Sequence, residues 1–167
     1  MRWLFLTALL TLGLDQLSKI AVIVWLDLAN RGEIDVLPPW LVFRMAWNYG
    51  INFGLFAGHA DLIRWVLIGI ALVISVWVAL WARQRPDSRP IQISAGLLIG
   101  GALGNVADRL RWGAVGDFIN TSCCGFENPY AFNIADIAIF IGAIGLVIFS
   151  ARPAEKPPSG RSGRKAS

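Results

Sequence analysis

Two aspartates stand where acidic side chains need a reason. Asp117 lies in Gly116-Asp117-Phe118-Ile119, between a glycine and apolar residues, and Asp136 lies in Asn133-Ile134-Ala135-Asp136, just inside a long apolar run. Two carboxyl groups brought close together cannot easily both ionise, so one keeps its proton above the free value of ~3.9. One then acts as acid and the other as base. The ionised member activates a water against a carbonyl, and the protonated member donates to the developing oxyanion, as in aspartic-protease chemistry. Alone, Asp117 reads as an ordinary solvated acid of an outward loop. Its weight comes from Asp136.

More polar residues collect in the same regions. In Gly100-Gly101-Ala102-Leu103-Gly104-Asn105-Val106-Ala107-Asp108-Arg109, small residues permit close helix approach, and Asn105, Asp108 and Arg109 recur at three and four residues on one face. Asn133 and Asp136 also share a face; with a helix starting near Ala131, Asp136 would lie about 7 Å inside it. Asp15 and Lys19 are four apart, and a buried structural ion pair is the plain reading. An ionisable group inside a membrane-spanning segment costs on the order of 2.5–3.5 kcal/mol, so each requires a partner or a purpose.

Other chemistries fit less well. Ser18-Lys19 looks like a serine–lysine pair, but adjacent helical residues point about 100° apart. Ser94 has no sequence partner. The single His59, with scattered carboxylates, is a poor metal signature, and neither a metal nor a cofactor is expected. Cys123 and Cys124 are adjacent, too few for a zinc cluster or a disulfide framework, and a nucleophilic cysteine would depend on His59.

The elements that must position these groups follow from composition. The 167 residues are 56% hydrophobic and 16% charged, with eight Trp and a mean hydropathy of +0.57. That is too apolar for a soluble domain of this size. The apolar residues form long blocks, roughly 3–25, 62–82, 91–108 and 131–150, each able to cross a ~30 Å hydrocarbon layer or nearly so. A single polytopic domain over 1–151 with four transmembrane helices is expected. The first block holds charge and lacks an Ala-x-Ala-like cleavage site, so it is read as a retained helix.

Topology follows from the basic residues. Arg2, Arg83, Arg85, Arg89, Arg152, Lys156, Arg161, Arg164 and Lys165 give nine on one side, against Arg31, Arg44, Arg64, Arg109 and Arg111 on the other. Both termini are therefore expected in the cytoplasm, with segments 26–61 and 109–130 outside. The charges follow membrane topology and are not interleaved with aromatics as in a nucleic-acid surface, so no nucleic-acid partner is expected. Pro38-Pro39 ends any helix, and Leu41 to Trp47 is too short to span, giving short strands or an interfacial piece anchored by Trp40 and Trp47. The tail, 152–167, has too little apolar surface to pack and is expected to be disordered near anionic lipid.

A transporter would spread polar residues across the membrane depth, whereas here they gather at the outer ends apart from Asp15 and Lys19. A non-enzymatic assembly subunit would use Gly100, Gly101 and Gly104 for packing and would tolerate Asp117→Asn.

Five ordered motifs carry a resemblance. Asp15-Gln16-Leu17-Ser18-Lys19, Asn48-Tyr49-Gly50-Ile51-Asn52-Phe53, Gly100 to Arg109, Val115-Gly116-Asp117-Phe118 and Ala131-Phe132-Asn133-Ile134-Ala135-Asp136 are similar to those of the signal peptidase II (prolipoprotein signal peptidase) family. The resemblance implies a multi-pass protein of the bacterial inner membrane, with helices capped by a small periplasmic β-cradle and an interfacial helix. It implies cleavage of lipid-modified prolipoproteins before the lipidated cysteine, with the site at the outer membrane–water boundary. Asp117 and Asp136 match the catalytic pair. Asn105, Asp108, Arg109 and Asn133 match supporting and substrate-positioning residues, and Asp15, Lys19, Asn48 and Gly50 match positions of structural or substrate-contact type. Asn52, where the family has a small residue, and Thr121 to Pro129 depart from the pattern. Membrane lipids are the other expected partners, and a monomer is expected.

Overall fold

The computed structural model describes residues 1–38, 40–50, 60–123, 125 and 128–151. His59, Cys124, Asn52 and the tail from 152 onward lie outside these described residues. The chain is mostly helical, with a small antiparallel sheet at one end of a helical bundle.

The first apolar block forms α1 (Arg2–Lys19) and runs on into a π-helical stretch (Ile20–Trp25), where the Leu26 N–H reaches back to the Ala21 carbonyl at 2.9 Å. A short turn, α2 (Leu28–Arg31), is entered through Asp27 at φ 59° and left through Gly32 at φ 77°. The strands β1 (Glu33–Leu37) and β2 (Leu41–Asn48) follow, so the short apolar run after Pro38-Pro39 is a strand. Helix α3 (Ala60–Arg83) and helix α4 (Arg89–Trp112) come next. Pro90 lies in the first turn of α4, where a missing N–H is harmless, and Gly113 at φ 81° closes it with a bond to the Arg109 carbonyl at 3.2 Å. Strand β3 (Val115–Asn120) and helix α5 (Ile134–Ser150) complete the fold.

Arg2–Trp25, Asp61–Arg83 and Arg89–Trp112 are long and apolar enough to cross a membrane, and α5 is a shorter apolar helix of 17 residues. Three sequence expectations need correction. Helix α4 extends beyond 108 to Trp112, because the glycine stop comes only at 113. Helix α5 begins at Ile134, not near Ala131, because Asn133 caps it; Asp136 is thus in the first turn and not about 7 Å deep. Asp117 sits in a strand and not in a loop.

Helix α4 is the centre of the bundle, packing against α1, α3 and α5. Small residues permit this: a Cβ on Gly101 would lie 2.5 Å from the Ala135 carbonyl oxygen of α5. At one end Leu4, Val78, Ala82, Ile91, Ala95 and Ile99 form a core where α1 begins, α3 ends and α4 begins. At the other end Val22, Ile23, Leu28 and Phe118 join Phe43, Met45 and Trp112 beneath the sheet. The edge-on pair Phe43–Phe118, with centroids 5.6 Å apart, joins β2 to β3, and Trp47–Trp112, 5.7 Å apart, fastens the sheet to α4, each contributing about 0.5–1.5 kcal/mol beyond area burial.

Candidate active site

The sheet order is β1-β2-β3, all antiparallel, with Ala46 opposite Asp117 and Asn48 opposite Val115. Strand β3 has a further partner on its other side. Ile119 and Phe132 exchange backbone bonds of 2.8 and 3.0 Å, which brings the residue preceding Asn133 alongside β3. This stitch draws the start of α5 to the strand that carries Asp117.

Asn133 uses the proximity. Its side-chain oxygen accepts from the Asp136 N–H at 2.9 Å, and the Asp136 carboxylate accepts from the Asn133 N–H at 3.3 Å, a reciprocal cap of α5. The same side chain donates through Nδ2 to Asp117 Oδ1 at 2.6 Å. One fully buried asparagine therefore holds both carboxylates. Each has a second amide donor: Asn105 Nδ2 to Asp136 Oδ1 at 2.9 Å, and Asn48 Nδ2 to Asp117 Oδ2 at 3.2 Å. Asn48 is oriented in turn by the Gly50 N–H, which donates to its Oδ1 at 3.0 Å. Gly50 has φ 109°, a conformation that favours glycine, and it packs against Leu67 of α3, whose Cδ1 would lie 2.5 Å from a Cβ there and would have to move aside.

Beneath this pair lies a buried charged layer. Lys19 Nζ is 2.9 Å from Asp15 Oδ2 and 2.6 Å from Asp108 Oδ2, and all three side chains are fully buried. Each carboxylate also holds a backbone N–H. Asp15 Oδ1 accepts from Ala135 at 3.0 Å, and Asp108 Oδ2 accepts from Gly116 at 3.2 Å. Ala135 directly precedes Asp136, and Gly116 directly precedes Asp117. The ion triad thus ties together the two backbone positions that carry the aspartates. Gln16 adds bonds to Asp108 Oδ1 at 2.9 Å and Asp15 Oδ2 at 3.1 Å. Gly104 makes room, since a Cβ there would lie 2.5 Å from Asp15 Oδ2.

Asp117 is 4% exposed. Burial, and then the charge of Asp136, push its carboxyl up from 3.8 to about 6, against the opposing bonds from Asn48 and Asn133. Arg109 donates to the Asn105 carbonyl at 3.2 Å, and its charge lies within electrostatic reach of Asp108, Asp117 and Asp136. The arrangement is a pair of carboxyls of unequal environment, half-roofed by amides, next to a cation. It can hold one proton between two acids and polarise a water.

Every site residue read from the sequence falls in this one region. Asp117, Asp136, Asn133, Asn105 and Asn48 form the upper layer, with Gly50 behind Asn48; Asp15, Lys19 and Asp108 form the lower one; Arg109 flanks both. The Asp15–Lys19 pair expected from spacing is present, with Asp108 as an additional partner. Ser18 donates to the Asp15 carbonyl at 2.8 Å and takes no part with Lys19. Two residues escaped the sequence reading. Gln16 is an amide in an apolar helix beside Asp15, and that was the available signal. Asn120, 1% exposed, donates to the Asn128 and Tyr130 carbonyls at 2.7 and 2.8 Å and holds the loop after β3; nothing in its sequence context marks it.

The chain is similar to known proteins. Residues 7–152 match the family described as signal peptidase (SPase) II. The chain is 40% identical over 151 residues to a lipoprotein signal peptidase of Methylorubrum extorquens (strain PA1), covering 90% of this chain and 86% of the relative. It is 41% identical over 149 residues to a lipoprotein signal peptidase of Alteromonas mediterranea, covering 89% of this chain and 79% of the relative. It is also similar to a bacterial membrane enzyme solved by the in meso method, with a TM-score of 0.74 and 27% identity over 90% of this chain and 94% of that one. A second such structure gives a TM-score of 0.69 and 28% identity, covering 91% of this chain and 93% of that one.

Proposed function

The chain belongs to the signal peptidase II family, and from that membership we propose that it removes signal peptides from diacylglyceryl-modified prolipoproteins, cutting before the lipidated cysteine with Asp117 and Asp136 as its aspartic pair. The observation that carries the mechanism is Asn133, which holds both carboxylates through one side chain and its own N–H. Burial and the charge of Asp136 favour the proton on Asp117. Asp136 is then the base. It takes a proton from water as the oxygen attacks the scissile carbonyl, while Asp117 donates to the carbonyl oxygen. As the tetrahedral species collapses, the C–N bond breaks, the proton on Asp136 passes to the cysteine nitrogen, and Asp117 regains its own. Asn105, Asn48 and Asn133 hold the carboxylates so that this exchange needs little rearrangement.

In this reading all four apolar helices span the bilayer, both termini are cytoplasmic, and the sheet caps the outer face. The support is that the sheet and the carboxylates share one end of the bundle, and that counting Lys and Arg along the sequence, tail included, assigns nine to the cytoplasmic side against five outside. A substrate whose lipid stays in the bilayer then presents its peptide at the depth of α5's first turn. The groups of the site come from one chain, so a monomer suffices.

The test is processing of a lipidated precursor in liposomes. Wild type releases the signal peptide, whereas Asp117→Asn or Asp136→Asn removes cleavage with the helical content and elution volume intact. Cleavage retained in both variants would eliminate the aspartic mechanism.

A further inference from the structure

At the end of the bundle opposite the sheet, two guanidiniums share one indole. Arg2 Cζ is 5.7 Å and Arg89 Cζ 5.9 Å from the centre of the Trp3 ring. The two arginines are the first residues of α1 and of α4, so the chain brings them together only by folding. A third, Arg85, in the turn between α3 and α4, lies 5.6 Å from the Trp81 ring centre. Trp81 packs with Met1 on the same core as Leu4 and Ile91.

All three arginines are exposed. Among the described residues, carboxylate partners are found on Lys19, Arg44 and Arg64, and not on these three; Asp87, in the same turn, pairs with none of them. The first turn of α4 has no acidic residue, and Ser88 gives it no side-chain cap, so the positive end of the helix dipole adds to the same region. Stacking occupies the face of a guanidinium and leaves its in-plane N–H donors free for a phosphate. An anion that reaches these donors is attracted by all three charges.

The surface below the charges favours a lipid over free phosphate. From Arg2, helical spacing leads to Phe5, Leu6 and Leu9, which are 63, 51 and 69% exposed; from Arg89 it leads to Ile93, 38% exposed. An exposed apolar stripe thus descends from Arg2 into the bilayer, with Ile93 beside it below Arg89. We propose that Arg2, Arg89 and Trp3, flanked by Arg85, form a binding site for the phosphate headgroup of an anionic phospholipid, on the membrane face opposite the active site. The site is independent of the catalytic assignment and stands or falls separately from it.

The test uses the full chain in neutral detergent, offered phosphatidylglycerol, phosphatidylcholine or inorganic phosphate, with lipid retention read by native mass spectrometry. Phosphatidylglycerol is retained in preference to phosphatidylcholine, and inorganic phosphate at the same concentration does not displace it. Arg2→Gln with Arg89→Gln weakens retention roughly 25-fold, about fivefold for each charge near an anionic surface. Trp3→Leu keeps both charges and weakens it severalfold by releasing the guanidiniums. Arg2→Lys with Arg89→Lys, which keeps the charges and so guards against loss of folding, also weakens it severalfold. Arg31→Gln, at the other end of the bundle, leaves retention unchanged. Equal retention of the two lipids, displacement by inorganic phosphate, or unchanged retention in the Trp3 and arginine variants would overturn the proposal.

Discussion

Replacing Asp117 by asparagine is expected to stabilise the protein at neutral and alkaline pH while removing its activity. The carboxyl is 4% exposed and titrates at about 6 in place of 3.8, chiefly through burial and secondarily through Asp136. A shift of about two units corresponds to about 3 kcal/mol, at ~1.4 kcal/mol per unit. Because the folded value lies above the unfolded one, the folded chain holds more protons between these two values, and stability falls as pH rises through that window. Above it the ionised carboxylate is a burden that a neutral amide does not impose. Against this, an asparagine offers one acceptor oxygen where Asp117 offers two, to Asn133 at 2.6 Å and Asn48 at 3.2 Å; losing one bond costs about 1 kcal/mol. The variant is then more stable by about 2 kcal/mol near pH 8 and less stable by about 1 kcal/mol near pH 3. For a chain of this length that is a Tm gain of about 4–8 °C at the higher pH and a loss of about 2–4 °C at the lower. Thermal unfolding in detergent micelles, followed by tryptophan emission across this pH range, measures it. A variant less stable than wild type near pH 8, or a difference that does not change with pH, would refute the reasoning.

Three further outcomes follow from the same geometry. Lys19→Met leaves Asp15 and Asp108 buried without their cation and is expected to lower stability by about 3–5 kcal/mol, measured by denaturant unfolding; a change under about 1 kcal/mol would show that the triad does not hold the site. Asn133→Ala removes the α5 cap, about 1 kcal/mol, and the donor to Asp117; kcat is expected to fall roughly 10- to 100-fold in a fold that survives, and an unchanged kcat would remove Asn133 from the mechanism. With the proton on Asp117, kcat/KM declines as pH rises above about 6, and kcat declines at higher pH because bound substrate dries the site further; a pH–rate profile rising through that value would place the proton elsewhere.

The parts of the fold legible in the sequence were those whose signal is local. Blocks of spanning length revealed the bodies of α1, α3, α4 and α5, and the three- and four-residue spacings of Asp15/Lys19 and Asn105/Asp108/Arg109 gave the faces that meet. The ends were harder, because they depend on side chains that return to the backbone: α5 starts where Asn133 receives the Asp136 N–H, not where the apolar run starts. Strand β3 was hidden for a different reason. Val115–Asn120 is short, contains Gly116 and pairs with β2, far away in the chain, so its existence rests on long-range contacts that local patterning does not encode. Asp117 consequently read as a loop acid. The ion triad was half visible, since Asp15 and Lys19 announce each other while Asp108 joins them only in the folded bundle.

The most direct measurement is a double-substitution cycle on Asp117 and Asp136 in precursor processing, with folding monitored alongside. If the two carboxyls act as one proton-sharing unit, Asp117→Asn, Asp136→Asn and the double variant all fall to the same residual rate, because either change already disables the pair. Losses that multiply in the double variant, or a single variant that still processes the precursor near the wild-type rate, would contradict it.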